Sequence, residues 1–498
     1  MTTTGVNPAD RAGERLHHAS AAPARHDLGA MGANSDRRAL SDPLGPSTDH
    51  QPLNAADRLM LVGHDGMRSI DHAGFQCQSH LWLSGRVDVP TLRRALEALH
   101  CHYPVMTARL DKFPPAASSP RRRPQPAGPR WAFQNNTKVE FHEATLTASD
   151  EAAAWRYGER WFDEPLDLPR MNPIGFHLLH LPDGRDVFLL RWSHVLMDGK
   201  APELVVHEIS RRFADPSLPA PPPPAGDEMQ AHLAKFDRKL RRKAAARVIR
   251  SHIRLPVRPL TLVPPDAPDW VTGPFRMIVR TLDADATERF AARVKRLCGF
   301  NNMAPVVLAS VFRACLQHTP RRVKGRFLLQ TDVPLNLRPP GSTQPLFRNF
   351  MAFISLGARV RDLARRDDLA QQLNVQMREQ LRRGIDLGNL QMMAFMSRYD
   401  RMLAKHIKSH MQKSPMALGF GFLGPAFGGM ESFCDVPVER FYTLNSALAP
   451  PGITLQVNVH RGRLNFALTY VGDAVPDSLA QAFLDTMVAD LLDERASR

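Results

Sequence analysis

Two residues in one short stretch could do proton-transfer chemistry, His194 and Asp198, and Gly199 follows them directly. A histidine changes charge near neutral pH, so it can take a proton from a nucleophile as that nucleophile attacks. An acid four positions on, followed directly by glycine, suits a tight, pre-set loop better than a helix. The apolar run Val187 to Trp192 precedes them, after a turn at Pro182-Asp183-Gly184, and reads as a strand buried on both faces. His194 would emerge where that strand ends. By themselves these residues suit two states equally well: a general base, or a satisfied strand-end histidine beside an ordinary Asp-Gly turn.

Other patterns that could carry chemistry are weaker. Gly419-Phe-Gly421-Phe-Leu-Gly424 has the spacing of a dinucleotide loop, but such a loop must open a helix, and Pro425 and Gly428-Gly429 follow. His406 and His410 would share a helix face, yet no third ligand or glutamate accompanies them, so no metal site is expected. His207-Glu208 lacks the second histidine of a zinc-protease motif. There is no Gly-x-Ser-x-Gly and no phosphate loop, which leaves hydrolase and nucleotide-triphosphate readings without support. The five cysteines, Cys77, Cys101, Cys298, Cys315 and Cys434, have no paired spacing, and each is expected to be a buried thiol.

The elements that must position His194 follow from periodicity and punctuation. A helix starts after Leu53 with Asn54 as cap, Phe75 to Val87 alternates as a strand, and Pro90 opens a helix whose stripe is Leu92, Ala95, Leu96 and Leu99. Trp131 to Phe141 reads as a strand, Glu151 to Phe162 as an amphipathic helix and Ile174 to Leu181 as a strand. Ala201 to Phe213 is a helix with Pro202 in its first turn. Beyond the Pro-rich run 216–225, Arg276 to Leu282, Arg326 to Pro334 and Phe350 to Val360 read as strands. Ala286 to Leu297, Asn302 to His318 and Leu363 to Arg383 read as helices. Gly452 to Val471 alternates as a hairpin turned at Arg461-Gly462-Arg463, before a closing helix from Ser478 to Leu492.

In this setting the chain resembles the thioester-dependent acyltransferases of the chloramphenicol acetyltransferase-like superfamily, which includes condensation domains and wax ester synthase/diacylglycerol acyltransferases. Their signature is His-His-x-x-x-Asp-Gly, and here Ser193-His194-Val-Leu-Met-Asp198-Gly199 matches it with serine for the first histidine. Leu83 to Leu99 and Tyr103-Pro-Val-Met-Thr-Ala-Arg109 resemble the first strand, first helix and "HPxLR" segment. Val333-Pro-Leu-Asn-Leu-Arg338 resembles "PVxLR", Asn349 stands where the family often has Gly-Asn, and the 419–424 glycines resemble a tunnel-shaping segment.

The resemblance implies an α+β chain of two lobes, each a mixed sheet with flanking helices, and an active-site tunnel between them. Composition makes 1–52 a disordered segment and 216–270 a Pro-rich and basic crossover, which leaves an N-terminal lobe at 53–215 and a C-terminal lobe at 271–498. The resemblance makes His194 the general base, with Asp198, Gly199 and Arg338 as structural support and Ser193, Asn349 and Gly424 as tunnel candidates. The implied donor is a thioester, acyl-CoA or phosphopantetheine-borne, and no permanently bound cofactor is expected. The acceptor is an alcohol or an amine. Gly424-Pro425, Val475-Pro-Asp477 and the basic segment lean toward wax ester synthase-like O-acylation. A stand-alone condensation enzyme and a non-catalytic scaffold that kept the fold stay open.

Bulk properties bound the partners. The chain has 498 residues, 43% of them hydrophobic, a formal net charge of +15, and no apolar run long enough to span a membrane. It lacks a secretory signal, so a cytoplasmic location is expected. Residues 235–258 hold ten Lys or Arg against Asp237 alone. That segment is a solvated helix, or else a contact to an anionic membrane or an acidic carrier protein. No specific nucleic-acid binding is expected, since only Phe236 interleaves the basic run.

Overall fold

A computed structural model of the chain describes residues 50–112, 128–134, 137–147, 151–219, 227–253, 262, 273–299, 302–319, 327–397, 416–427, 430–447 and 451–493. At its centre lies the strand that leads to His194. Asp186–Ser193 is buried at all eight positions, as a mostly apolar run requires when both faces of a sheet are covered, and Arg191 within it bonds Gln76 Oε1 and the Glu164 carbonyl. Gln76–Leu83 and Ile174–His180 flank it, both antiparallel. Phe141–Thr145 extends one side in parallel, and Val436–Asn445 and Ser432–Phe433 extend the other, making six strands. Phe188, Leu189 and Leu190 are fully buried. Each contributes ~1.5–3 kcal/mol by leaving water, so a one-residue slip of register would be prohibitive.

A second sheet runs in the order Gly419–Pro425, Ile453–His460, Arg463–Val471, Phe275–Thr281. Its central hairpin pairs His460 with Arg463 across Arg461-Gly462. Beside it stands a two-stranded ladder of Leu328–Asn336 and Met351–Arg359. Both large sheets mix parallel and antiparallel pairing and carry helices on their faces, which is the expected α+β, two-sheet architecture.

Local chemistry sets the helix boundaries. Asn54 and Asp57 form a capping box at the start of Ala55–Arg68. Asp88 caps Val89–His102, with Pro90 in its first turn and Leu92, Ala95, Leu96 and Leu99 buried. Ala201–Ala214 follows the histidine loop. Met303–His318 is apolar nearly all round, and so it sits in the core, packed against Arg366–Arg382 and Asp477–Leu492.

Several expectations are corrected. The region 131–141 is not one strand: only Arg130–Ala132 and Phe141–Thr145 pair. His50–Pro52, placed in the disordered segment, is a strand bonded to Arg130–Ala132, while residues 1–49 lie outside the described residues. Cys101 is exposed, because it falls on the polar face of Val89–His102, whereas the other four cysteines are buried and all five are free. Helix Ile385–Met396 and strand Val436–Asn445 were not foreseen. That strand leaves the C-terminal half to pair with Gln76–Leu83, so the boundary at 271 does not separate the two sheets in sequence, and the described residues belong to one compact unit. His406 and His410 lie outside the described residues.

The basic segment is helical over Arg238–Ile253. It buries Ala244 and Val248 and packs against Ile385–Met396, while Leu240 and Ile249 stay exposed. Part of the apolar stripe that a membrane-lying helix would need is thus used inside the molecule. Among the described residues no helix is long and apolar enough to cross a membrane.

Candidate active site

The site is built at the end of the histidine strand. After Ser193 the chain turns through His194-Val195-Leu196: Ser193 Oγ accepts the Val195 N–H at 3.2 Å, and the Leu196 N–H bonds the Ser193 carbonyl at 2.9 Å. Trp192 Nε1 donates to the Met197 carbonyl at 3.2 Å and closes the loop from behind. The His194 N–H bonds the Phe75 carbonyl at 3.0 Å, and the two rings lie with centroids 4.5 Å apart.

Asn349 fixes the tautomer of His194. Its Nδ2 faces three oxygens, the His194 carbonyl at 2.8 Å, the Val195 carbonyl at 3.3 Å and Asp57 Oδ1 at 3.0 Å. The amide must therefore turn its NH2 that way, which leaves Oδ1 facing His194 Nδ1 at 3.2 Å. An amide oxygen only accepts, so Nδ1 carries the hydrogen and Nε2 keeps the lone pair. Asp57 anchors this arrangement by accepting the Asn349 N–H at 3.0 Å, the Asn54 N–H at 3.0 Å and Arg348 Nη1 at 3.2 Å. Burial pushes the Asp57 carboxyl up to about 6 against the opposing pull of Arg348 and Asn349.

Asp198 faces a different set of partners. Its oxygens accept Arg338 Nη1 at 3.0 and 2.8 Å, the Phe350 N–H at 2.7 Å, and the N–H groups of Lys200 and Ala201 at 3.0 and 3.1 Å. Arg338 is completed by the carbonyls of Pro345 and Arg348. Burial alone would raise the Asp198 carboxyl, but Arg338 and the Phe350 N–H outweigh it and hold the group below its ordinary value. The pair ties the histidine loop to the ladder of the other half of the chain. On its far side the loop meets the bulged strand Gly419–Pro425: Lys200 Nζ donates to Glu203 at 2.6 Å and to the Pro425 carbonyl at 3.1 Å. A Cβ on Gly199 would stand 3.2 Å from Leu423 Cδ2, so the leucine tip would have to give by a few tenths of an ångström.

His194 is only 6% exposed, and it lines a cavity of about 340 Å³. Phe75, Met351, Phe353, Phe420 and Phe422 give the wall its apolar character, and Asp332, Asn336, Thr454 and Gln456 add polar points. A Cβ on Gly421 would displace the Gln456 amide, whose Oε1 lies 2.1 Å from where it would stand. Ser193, Asn349 and Gly424, expected at a tunnel wall, are not among the lining residues. Ser193 is turned into the loop and Asn349 is fully buried behind the imidazole. Gly424, at φ 72°, marks a bulge that carries the strand away. A larger depression of about 820 Å³ beside Glu151–Asp163 is lined by Arg156, Glu159, Arg160, Asp163 and Arg276, among others. Glu159 and Asp163 bond the Met277 and Phe275 N–H groups at the sheet edge, so those carboxylates serve packing.

Burial lowers the His194 imidazole below its ordinary value of 6.5, against the raising effects of its own carbonyl, Asp198 and Asn349. The neutral base form is thus populated throughout the range above 6.5. Protonation removes the base only below that value, so the acid limb of a kcat/KM profile is expected to bend below pH 6.5. A limb centred above pH 6.5 would show that another group supplies the base.

The 419–424 glycines form a strand, so no dinucleotide loop exists there. Residues that sequence reasoning overlooked here are Asp57, Phe75, Lys200 and Glu203. Only Asp57 left a signal, as the third residue of a capping box, and that signal pointed to helix geometry.

No family model matches the chain, and no curated protein sequence matches it. Solved structures do. The first condensation domain of the CDA synthetase superposes with a TM-score of 0.64 at 16% identity, covering 90% of this chain and 96% of that one. This is the condensation-domain fold. The EpoB NRPS cyclization-docking bidomain from Sorangium cellulosum gives 0.63 at 16% identity, with 90% and 85% covered. The starter condensation domain of the rhizomide synthetase RzmA, a variant in complex with C8-CoA and Leu-SNAC, gives 0.62 at 13%, with 89% and 94% covered. At these identities the likeness establishes the chloramphenicol acetyltransferase-like, two-lobed architecture.

Proposed function

We propose that the chain is an acyltransferase that moves an acyl group from a thioester to an amine, with His194 as the catalytic residue. The observation that carries this reading is the direction of one imidazole: Nδ1 is held by Asn349, and the ring borders the cavity. As a neutral amine attacks the thioester carbonyl, the C–N bond forms and the surplus proton passes to Nε2. The C–S bond then breaks, and the imidazolium returns that proton to the departing thiolate, leaving amide, thiol and the original imidazole. Asp198, Gly199 and Arg338 position the loop and take no proton.

The amine reading replaces the O-acylation favoured from sequence, because a neighbour of the same fold was solved with an acyl-CoA and an amino-acid thioester bound. The donor thioester is borne by coenzyme A or by a phosphopantetheine carrier. Arg238–Ile253 offers a basic surface that suits an acidic carrier. A non-catalytic scaffold rested on Ser193 alone, and Ser193 Oγ closes the turn that the loop needs.

Octanoyl-CoA should be offered with leucyl thioester in one reaction and with a long-chain alcohol in another, and products followed by mass spectrometry. Amide is expected to be the main product, the outcome that a preference in kcat/KM for the amine gives. Ester in excess would restore the O-acylation reading. Neither product, with several donors tried, would favour the scaffold.

A further inference from the structure

The charges in the wall of the His194 cavity are paired, with one exception. Asp198 is held by Arg338, and Lys200 by Glu203. Asp332 accepts the Ser355 hydroxyl at 2.5 Å from the residue directly across the ladder. Among the described residues no Arg, Lys or His lies within ion-pair distance of it. A carboxylate in a mostly apolar wall keeps part of its cost of desolvation, and a ligand cation would offset it more strongly there than in bulk water.

Two strands locate this carboxylate along the cavity. Asp332, Pro334 and Asn336 share one face of Leu328–Asn336, and Asn336 Oδ1 accepts Arg338 Nη1 at 3.2 Å, at the end where Arg338 clamps the histidine loop. Four residues of strand therefore separate Asp332 from that end, roughly 13 Å. The bulged strand agrees. Leu423 lies against Gly199, whereas the Leu418 carbonyl accepts Thr331 Oγ1 at 2.7 Å and the Ala417 N–H bonds the Gln330 carbonyl at 2.7 Å. Leu418 to Leu423 spans about 17 Å. Between the two ends the wall is Phe353, Phe420 and Phe422.

We infer that Asp332 is a specificity-determining residue that binds an ammonium group at the end of the cavity remote from His194. The acceptor is then an elongated diamine-type molecule. One nitrogen reacts at His194, an apolar chain passes the phenylalanines, and the second, charged nitrogen rests on Asp332 and Ser355. This rests on the acyltransferase reading of the same cavity. It goes beyond that reading by naming the second functional group, and it disfavours acceptors that end in a carboxylate.

Binding tests the inference without turnover. Calorimetric titration of the wild-type protein at pH 7 should show octylamine, protonated in solution, binding on the order of tenfold more tightly than 1-octanol, the factor that about 1.4 kcal/mol of charge-assisted bonding gives. Asp332→Asn, isosteric and uncharged, should bring that ratio close to one, and Asp332→Glu should restore most of it. An equal ratio in wild type and Asp332→Asn overturns the inference, as does a wild-type ratio near one. Unfolding midpoints of both variants check that the fold is retained. A protein that binds octylamine through Asp332 but transfers no acyl group overturns the acyltransferase reading and leaves Asp332 as the cation site.

Discussion

Purified His194→Ala is expected to keep the wild-type unfolding midpoint within a few degrees and to lose about 10²- to 10⁴-fold in transfer rate, the usual contribution of a positioned general base. Two features of the site separate these effects. The imidazole bonds Asn349 and its own backbone carbonyl and makes a ring contact with Phe75, whereas the loop is held by backbone and by Asp198. Truncation therefore leaves Asn349 bonded to the His194 and Val195 carbonyls and to Asp57, and the loop should stay closed. Thiol release from octanoyl-CoA in the presence of the amine acceptor gives the rate, and circular dichroism with heating gives the fold. Wild-type turnover in a folded His194→Ala protein would remove His194 from the mechanism. A collapsed midpoint would instead mark it as a packing residue. Because the neutral imidazole is the working form, the variant should also lose the acid limb of the pH profile, leaving a slow, flatter background.

How much of this was legible in the chain depended on the range of the interaction. Asp186–Ser193 was readable because its run is apolar but for Arg191, and Asn54 and Pro90 announced their helices locally. The pairing of Arg338 with Asp198 spans 140 positions, and only the family resemblance suggested it. Asn349 could be singled out, but not its duty. It was placed at a tunnel wall, whereas the amide sits behind the imidazole and hands its geometry to Asp57, 292 positions away. Nothing local distinguishes an aspartate that caps a helix from one that does so and also anchors an active-site amide. Val436–Asn445 was illegible for a different reason: Pro437, Glu439 and Arg440 break its alternation, and the pairing with Gln76–Leu83 that rescues it lies more than 350 residues away. Asp332 carried no signal in the sequence, and its strand partner Ser355 is uncharged.

Arg338→Ala is expected to be the most destabilising truncation at the site, by about 3–5 kcal/mol, because it abandons a buried carboxylate rather than deleting a contact. The Arg338 and Asp198 side chains are 2% and 4% exposed, so water cannot replace the guanidinium without opening the loop. The pH dependence identifies the cause. In the wild type the folded-state value of Asp198 lies below the ordinary 3.8. Its contribution is therefore present above pH 3.8 and is lost as pH falls through the lower, folded value. Without Arg338, burial dominates and the folded-state value rises above 3.8. The variant's deficit should then be greatest near pH 7 and shrink as the solution is acidified and Asp198 takes a proton. Denaturant unfolding of both proteins at pH 7 and pH 5 measures this, and a deficit that is constant or grows on acidification would refute a stranded charge as the cause. Combining Arg338→Met with Asp198→Asn removes both charges and should recover much of the stability. It should not recover turnover, because the asymmetric clamp on the Phe350, Lys200 and Ala201 N–H groups is what aims the histidine loop across the cavity. Recovery of both together would mean that the ion pair only stabilises the fold, and that the loop finds its catalytic geometry without it.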